Sequence, residues 1–103
     1  MHRVPQDYEK ALTWYTKAGD QGFVDAQYKL GYIYLSGKGV PHNYKFAYIW
    51  WSLAAENGHG ISENKRDIII KLLTSKELLE AQDIIAEKKG GVGYKKIIQA
   101  KME

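Results

Sequence analysis

The sequence has no cysteine, only two prolines and no long apolar run. The first absence excludes a disulfide framework and any thiolate metal site. It is also what a reducing compartment would favour. The third leaves nothing approaching the roughly 20 apolar residues that a membrane span needs. The N-terminus lacks the apolar segment of a secretory signal, so a cytoplasmic location is expected, with no membrane partner. Catalytic signatures are missing as well. His2, His42 and His59 stand far apart without metal-ligand spacing. There is no H-E-x-x-H and no G-x-S-x-G. "GKGV" does not follow the Gly-x-x-x-x-Gly-Lys-Ser/Thr order of a phosphate loop. No catalytic residue, cofactor or metal is therefore expected, and the chain does not read as an enzyme. His59 lies in "NGHGI" and reads as a turn residue.

At 103 residues, 45% hydrophobic and 26% charged, the chain fits one modest globular domain. Its net charge of +3 is unevenly placed. Met1 to Glu87 carries ten basic and eleven acidic residues, whereas Lys88 to Glu103 carries five lysines and one glutamate. The excess sits in a tail, not across a folded face of the kind nucleic-acid binders present.

What is abundant is repetition. "VPQDYEKALTWYTKAGDQG" (Val4 to Gly22) returns as "VPHNYKFAYIWWSLAAENG" (Val40 to Gly58), 36 residues later. Tyr8, Ala11, Trp14 and Ala18 match Tyr44, Ala47, Trp50 and Ala54. Steps of three and four mark one helix face. A period of this length signals stacked helical hairpins. Pro5 and Pro41 precede the helices, with Asp7 and Asn43 as N-caps. Gly22 and Gly58 close them with left-handed residues. The matched aromatics Tyr8, Trp14, Tyr34, Tyr44 and Trp50 are expected in the core, rather than on a base-stacking surface. Tyr15 and Trp51 either cover a hairpin junction or lie partly exposed.

Between the copies, "DAQYKLGYIYLSGKG" predicts another helix. Asp25 would cap it, and Ala26, Leu30, Ile33 and Tyr34 form its apolar stripe. Gly31 in mid-helix costs about 1 kcal/mol against alanine, which close approach of a neighbouring helix would explain. Past Gly58 the pattern changes: Ser62, Arg66 and Asp67 replace Ala26, Leu30 and Gly31. Ile68, Ile69, Leu72 and Leu73 still mark a helix. "TSKE" forms a capping box of Thr74 and Glu77. It opens a helix reaching about Lys89, with Leu78, Ala81 and Ile85 on one face. Twelve of thirteen aromatics lie between Tyr8 and Trp51, so the aliphatic pair that follows reads as a terminal cap.

Ala26, Leu30, Gly31, Tyr34, Gly37, Gly39, Val40, Tyr44, Ala47, Trp50, Ala54, Ala55 and Gly58 together resemble the Sel-one-like repeat family. These are relatives of the tetratricopeptide repeats with a slightly longer unit. The resemblance covers about Val4 to Lys89. It implies an all-α fold: a short α-solenoid of antiparallel helical hairpins, about one and a half repeats plus a C-terminal capping helix pair. Residues 1–89 would form the repeat domain, with its cap from about 61, and 90–103 a Gly-led basic tail. The resemblance further implies a non-enzymatic scaffold that binds a protein or peptide on a concave face.

Two departures from the family pattern stand out. Met1, His2 and Arg3 occupy the place of the expected Gly-x-Gly, so the first repeat lacks its first helix. Gly19 stands where Ala55 does, which should weaken the end of the first helix. With half a repeat, one whole repeat and a cap, the first helix should present Leu12, Trp14 or Tyr15 on an uncovered side. The chain is then expected to be a fragment of a longer solenoid or to self-associate through that open end. Tyr94, Ile97 and Ile98 of the tail could cover it, in cis or from a second protomer.

In stacked hairpins the first helix of each unit lines the inner groove. The groove candidates are Gln27, Lys29, Tyr32, Ser36 and Lys38, with Tyr32 as aromatic anchor and Lys29 as a charge for an acidic partner residue. The same residues would also suit an ordinary exposed helix face. The alternative function is a nucleic-acid-binding module using the basic C-terminal tail.

Overall fold

A computed structural model describes residues 4–37 and 39–90. Five α-helices follow one another: α1 (Val4–Asp20), α2 (Val24–Ser36), α3 (Tyr44–Glu56), α4 (Gly60–Ile69) and α5 (Ser75–Gly90). A 3-10 turn at Ile70–Leu72 links the last two. Among the described residues there is no strand. The helices stack as antiparallel hairpins, as the repeat requires.

The turns show the repeat most plainly. After α1, Phe23 N donates to Ala18 O at 3.1 Å and Gly22 N to Gly19 O at 3.0 Å. After α3, His59 N donates to Ala54 O at 3.1 Å and Gly58 N to Ala55 O at 3.0 Å. Both are Schellman closures, and each needs a left-handed residue. Gly22 (φ +96°) and Gly58 (φ +90°) supply it.

Other local signals divide. Asn43 caps α3, its side chain accepting from Phe46 N at 3.0 Å. Thr74 and Glu77 bond reciprocally, at 2.9 and 3.0 Å. Two expected caps are not caps. The α1 backbone is already helical from Val4, so Asp7 lies inside the helix. Helix α2 starts at Val24 behind Phe23, which makes no side-chain cap, and Asp25 sits in its first turn. There its carboxylate complements the helix dipole instead of accepting an N–H. The helix marked by Ile68 to Leu73 ends at Ile69 and tightens into the 3-10 turn.

Helix α3 is the hub. Its eight consecutive residues Ala47 to Ala54 are all buried, as expected of a helix covered on every side. Helices α2, α4 and α5 surround it. Gly31 explains how α2 approaches. A Cβ there would lie 2.2 Å from Trp51 Nε1. The missing side chain is a slot for the Trp51 indole, which donates to Tyr28 O at 3.1 Å. What comes close is thus a side chain of α3, not its backbone.

Gly19 has the same use. Helix α1 continues through it to Asp20, and a Cβ would meet Trp50 Cζ3 at 2.8 Å and Leu30 Cδ1 at 2.9 Å. The residue expected only to weaken α1 makes room for the core tryptophan.

The equivalence of Trp14 and Trp50 is broken by packing. Trp50 is 2% exposed and Trp14 is 74% exposed. Trp50 is covered by Gly19 and Leu30, and the Lys88 amine lies 4.6 Å from its ring centroid. Among the described residues α1 packs against α2, and the Trp14 side is bare. Trp14 is therefore not in the core, whereas Leu12, Tyr15, Tyr34 and Tyr44 are partly buried against it. Trp51 is fully packed.

At the other end, Asp67 stands at the repeat position of Gly31 and is exposed. Arg66, replacing buried Leu30, pairs with Asp67 at 3.0 Å and Glu63 at 3.8 Å. The indole slot is filled by charge, which makes this an end surface. Ala81 and Ile85 seat α5 on α3.

Candidate functional site

The surface that gathers exposed aromatic, aliphatic and basic groups lies along α2 and α4. Tyr28 meets His59 with ring centroids 4.7 Å apart. Tyr32 meets Lys65, whose amine lies 4.8 Å from the ring centroid. Leu35 meets Ile68 and Leu72 across a cleft. These contacts advance together along both helices, so α2 and α4 run parallel and form one face.

Two stripes make up that face. On α2 they are Lys29, Tyr32 and Ser36. On α4 and the 3-10 turn that follows it, each residue 36 positions later, they are Lys65, Ile68 and Leu72. Steps of three and four keep each stripe on one side of its helix. Lys29 falls at one end of the face, Ile68 and Leu72 toward the other, and Lys65 between them at the rim of the apolar part. The apolar end holds a cleft of about 140 Å³ lined by Leu35, Trp51, Lys65, Ile68, Ile69 and Leu72. Ile68 is 66% exposed, and Leu72 is exposed too.

The electrostatics centre on Lys65. Its amine lies 4.8 Å from the Tyr32 ring centroid and 5.8 Å from that of Trp51. Both rings offer the negative face that attracts a cation. Hydrogen bonding by Lys65, and then by Tyr28, holds the Tyr32 phenol below its ordinary range. Tyr28 is pushed up by its hydrogen bond with Tyr32. Neither Lys29 nor Lys65 has a carboxylate within 4.0 Å among the described residues.

The sequence candidates occupy different places. Tyr32 is exposed, packed edge-on to Trp51 at 5.4 Å and to Tyr28 at 5.1 Å. Lys29 is exposed, its amine reaching to 5.8 Å from the Tyr15 ring centroid on α1. Ser36 is exposed and its hydroxyl donates to Ile33 O in its own helix at 3.3 Å. Gln27 does not face the groove. It is 3% exposed, donates to Gly19 O at 3.0 Å and accepts from Asn57 at 3.1 Å. That network ties the two Schellman turns together, and a buried amide requires such partners. Lys38 lies outside the described residues, as do Tyr94, Ile97, Ile98 and the tail beyond Gly90.

In the sequence Ile68 and Leu72 read only as markers of a capping helix, and Lys65 is not singled out. The signal was present: adding the 36-residue period to Lys29, Tyr32 and Ser36 reaches them. His59 is the N-cap of α4, its Nδ1 accepting from Ser62 N at 3.2 Å. His42 packs edge-on against Tyr44 at 4.3 Å.

Two further hollows exist. One of about 340 Å³ lies between the α1–α2 turn and the ends of α3 and α5, bridged by Lys88 and Asp20 at 2.8 Å. The other, about 470 Å³, separates α4 from α5 above Tyr48 and Ser52. Among the described residues, no helix is long and apolar enough to cross a membrane.

A family model described as "Sel1 repeat" matches residues 2–23 and 24–59. Chitin synthase regulator SKT5 of Saccharomyces cerevisiae is 38% identical over 63 residues, 61% of this chain. Chitin synthase regulatory factor 3 of Schizosaccharomyces pombe is 32% identical over 74 residues, 72% of this chain. The match spans about 8% of the length of each relative. No solved structure matches the chain significantly.

Proposed function

The chain belongs to the Sel1-repeat family, and from that premise we propose that it is a non-enzymatic scaffold that binds a protein or peptide along α2 and α4. Lys29, Tyr32 and Ser36 contribute from α2, Lys65 and Ile68 from α4, and Leu72 from the 3-10 turn after it. The observation that carries this reading is the parallel pair of stripes, side by side and exposed except at half-buried Lys65. A monomer has no packing use for an exposed Ile68 beside an exposed Tyr32, and such patches tend to mark interaction sites. An aromatic anchor with basic neighbours is also the composition of interface hot spots.

The relatives add support in kind. Both are named as regulators of chitin synthase, not as the synthase. The match covers about 8% of each relative's length, so what it supports for this chain is a regulator-type scaffold and not a particular target.

Affinity capture from extract of the source cells, with the full chain, Tyr32→Ala, Lys29→Glu and a Lys76→Glu control, tests the reading. A partner lost with the first two variants and kept by the control is expected. Equal recovery of every partner with all four proteins would overturn the assignment of the face.

A further inference from the structure

The geometry points to an acidic segment with a large apolar side chain two or three residues from its carboxylates as the occupant of the α2–α4 face. The inference deepens the scaffold reading and rests on it. It starts from the order of groups along the two helices. Lys29 stands at one end, Lys65 at the rim of the apolar cleft, and the cleft runs on from Lys65 past Ile68 to Leu72. Residues 65 and 72 are separated by about 10–12 Å of rise, along the end of α4 and the 3-10 turn. An extended chain covers that length in about three residues. One segment can thus set a carboxylate at the lysines and an apolar side chain in the cleft.

The cleft's size admits one side chain. A cavity of roughly 150 Å³ accepts a single benzene, and this one measures about 140 Å³. Its floor is Trp51 and Ile69, both buried, so the depth is set by the core and the rim by exposed Ile68 and Leu72.

Charge selects the occupant. Lys65 is held at the mouth by two aromatic rings and has no carboxylate within 4.0 Å among the described residues. The acidic residues near it on α4 are spent: Glu63 and Asp67 both pair with Arg66. The chain's own tail is a poor fit, because residues 91–103 carry Lys95, Lys96 and Lys101 against Glu103. Tail and face repel. A second copy of the face brings the same lysines and is disfavoured likewise.

The test uses the full chain and a palindromic probe, acetyl-Asp-Asp-Gly-Leu-Gly-Asp-Asp-amide, so that chain direction does not matter. Binding is read by NMR from the indole N–H of Trp51, identified by its loss in Trp51→Phe. Comparison probes replace every aspartate by asparagine, every aspartate by lysine, or the leucine by serine. The wild type should bind the aspartate probe about fivefold tighter than the asparagine probe, the upper range for a partly exposed ion pair. Salt should weaken it, and the serine probe should bind more weakly still. Lys65→Gln should lose the preference for aspartate, and Lys65→Glu should prefer the lysine probe.

Equal affinity of the wild type for aspartate and asparagine probes would overturn the inference. So would a sedimenting dimer that Ile68→Glu dissociates, which would name a second copy as occupant. A Trp51 indole resonance that moves on Ile97→Ser with Ile98→Ser, without peptide, would name the tail. Capture of a partner through Tyr32 and Lys29 with no response to any probe would overturn the acidic-apolar chemistry and leave the scaffold reading standing. Equal recovery of every partner in the capture experiment fails the assignment of the α2–α4 face, on which this inference rests.

Discussion

Gly31→Ala isolates the contact on which hairpin stacking depends. The added Cβ would lie 2.2 Å from Trp51 Nε1, 2.4 Å from Cε2 and 2.5 Å from Cδ1. Atoms of this size rest at roughly 3.5–4.0 Å, so the indole must retreat by about 1 Å or more. It has little room, being 5.4 Å from the Tyr32 ring centroid on a buried floor. Overpacking of this sort costs about 1–3 kcal/mol. Retreat also endangers the bond to Tyr28 O, worth about 1 kcal/mol. Alanine returns about 1 kcal/mol of helix propensity. The balance is a loss of about 1–3 kcal/mol, large for a domain whose total stability is on the order of 5–15 kcal/mol. Urea unfolding followed by circular dichroism measures it, with the slope unchanged. Gly60→Ala is the control, since a Cβ there meets nothing within 4 Å. In a Trp51→Ala background the slot is empty, so the penalty at position 31 should vanish or reverse. A Gly31→Ala protein as stable as wild type would refute the reasoning.

Two further outcomes follow from the same geometry. Trp14→Ser should change stability by no more than about 0.5 kcal/mol, as at an ordinary surface site, whereas Trp50→Ala should cost about 3–5 kcal/mol. The same urea curves decide this, and similar losses at both sites would contradict the packing described. In an absorbance titration of the phenols, Tyr32 should ionise ahead of an ordinary tyrosine, and Lys65→Gln should move it upward. The sign follows from its lowered pKa. The folded state favours the phenolate, so the contribution is present above the unfolded value near 10 and is lost as pH falls through the folded one. At neutral pH it adds nothing.

The fold was legible where signals are local. Gly22, Gly58, Asn43 and the Thr74–Glu77 box act within a turn of chain, and each did what its residue type allows. Asp7 and Asp25 show the limit of that logic. A capping residue type does not start a helix when the residues before it are themselves helical. Trp14 shows another limit. Periodicity identifies a face, but burial needs a neighbour, and repeat position 14 has none among the described residues. Gly19 and Gln27 were misread for a related reason. A glycine reads as weakness and a glutamine as surface until the side chains of other helices are placed, and Trp50 and Asn57 come from 30 or so residues away. Half of the candidate site was visible on α2. The other half is hidden when α4 is read through the loss of Leu30 and Gly31 and not through its repeated Lys65 and the apolar Ile68 and Leu72 that take the places of Tyr32 and Ser36.

The most direct measurement of the central claim is photo-crosslinking in cells. A benzophenone side chain is placed at Ile68 on the proposed face, and at Leu79 on α5 as a control. The two sites are nearly equal in exposure, at 66% and 65%, so accessibility alone cannot separate them. The account predicts a discrete crosslinked partner from position 68 that Tyr32→Ala removes, and none from position 79. Crosslinks of equal yield from both positions, or a partner caught only from position 79, would contradict it.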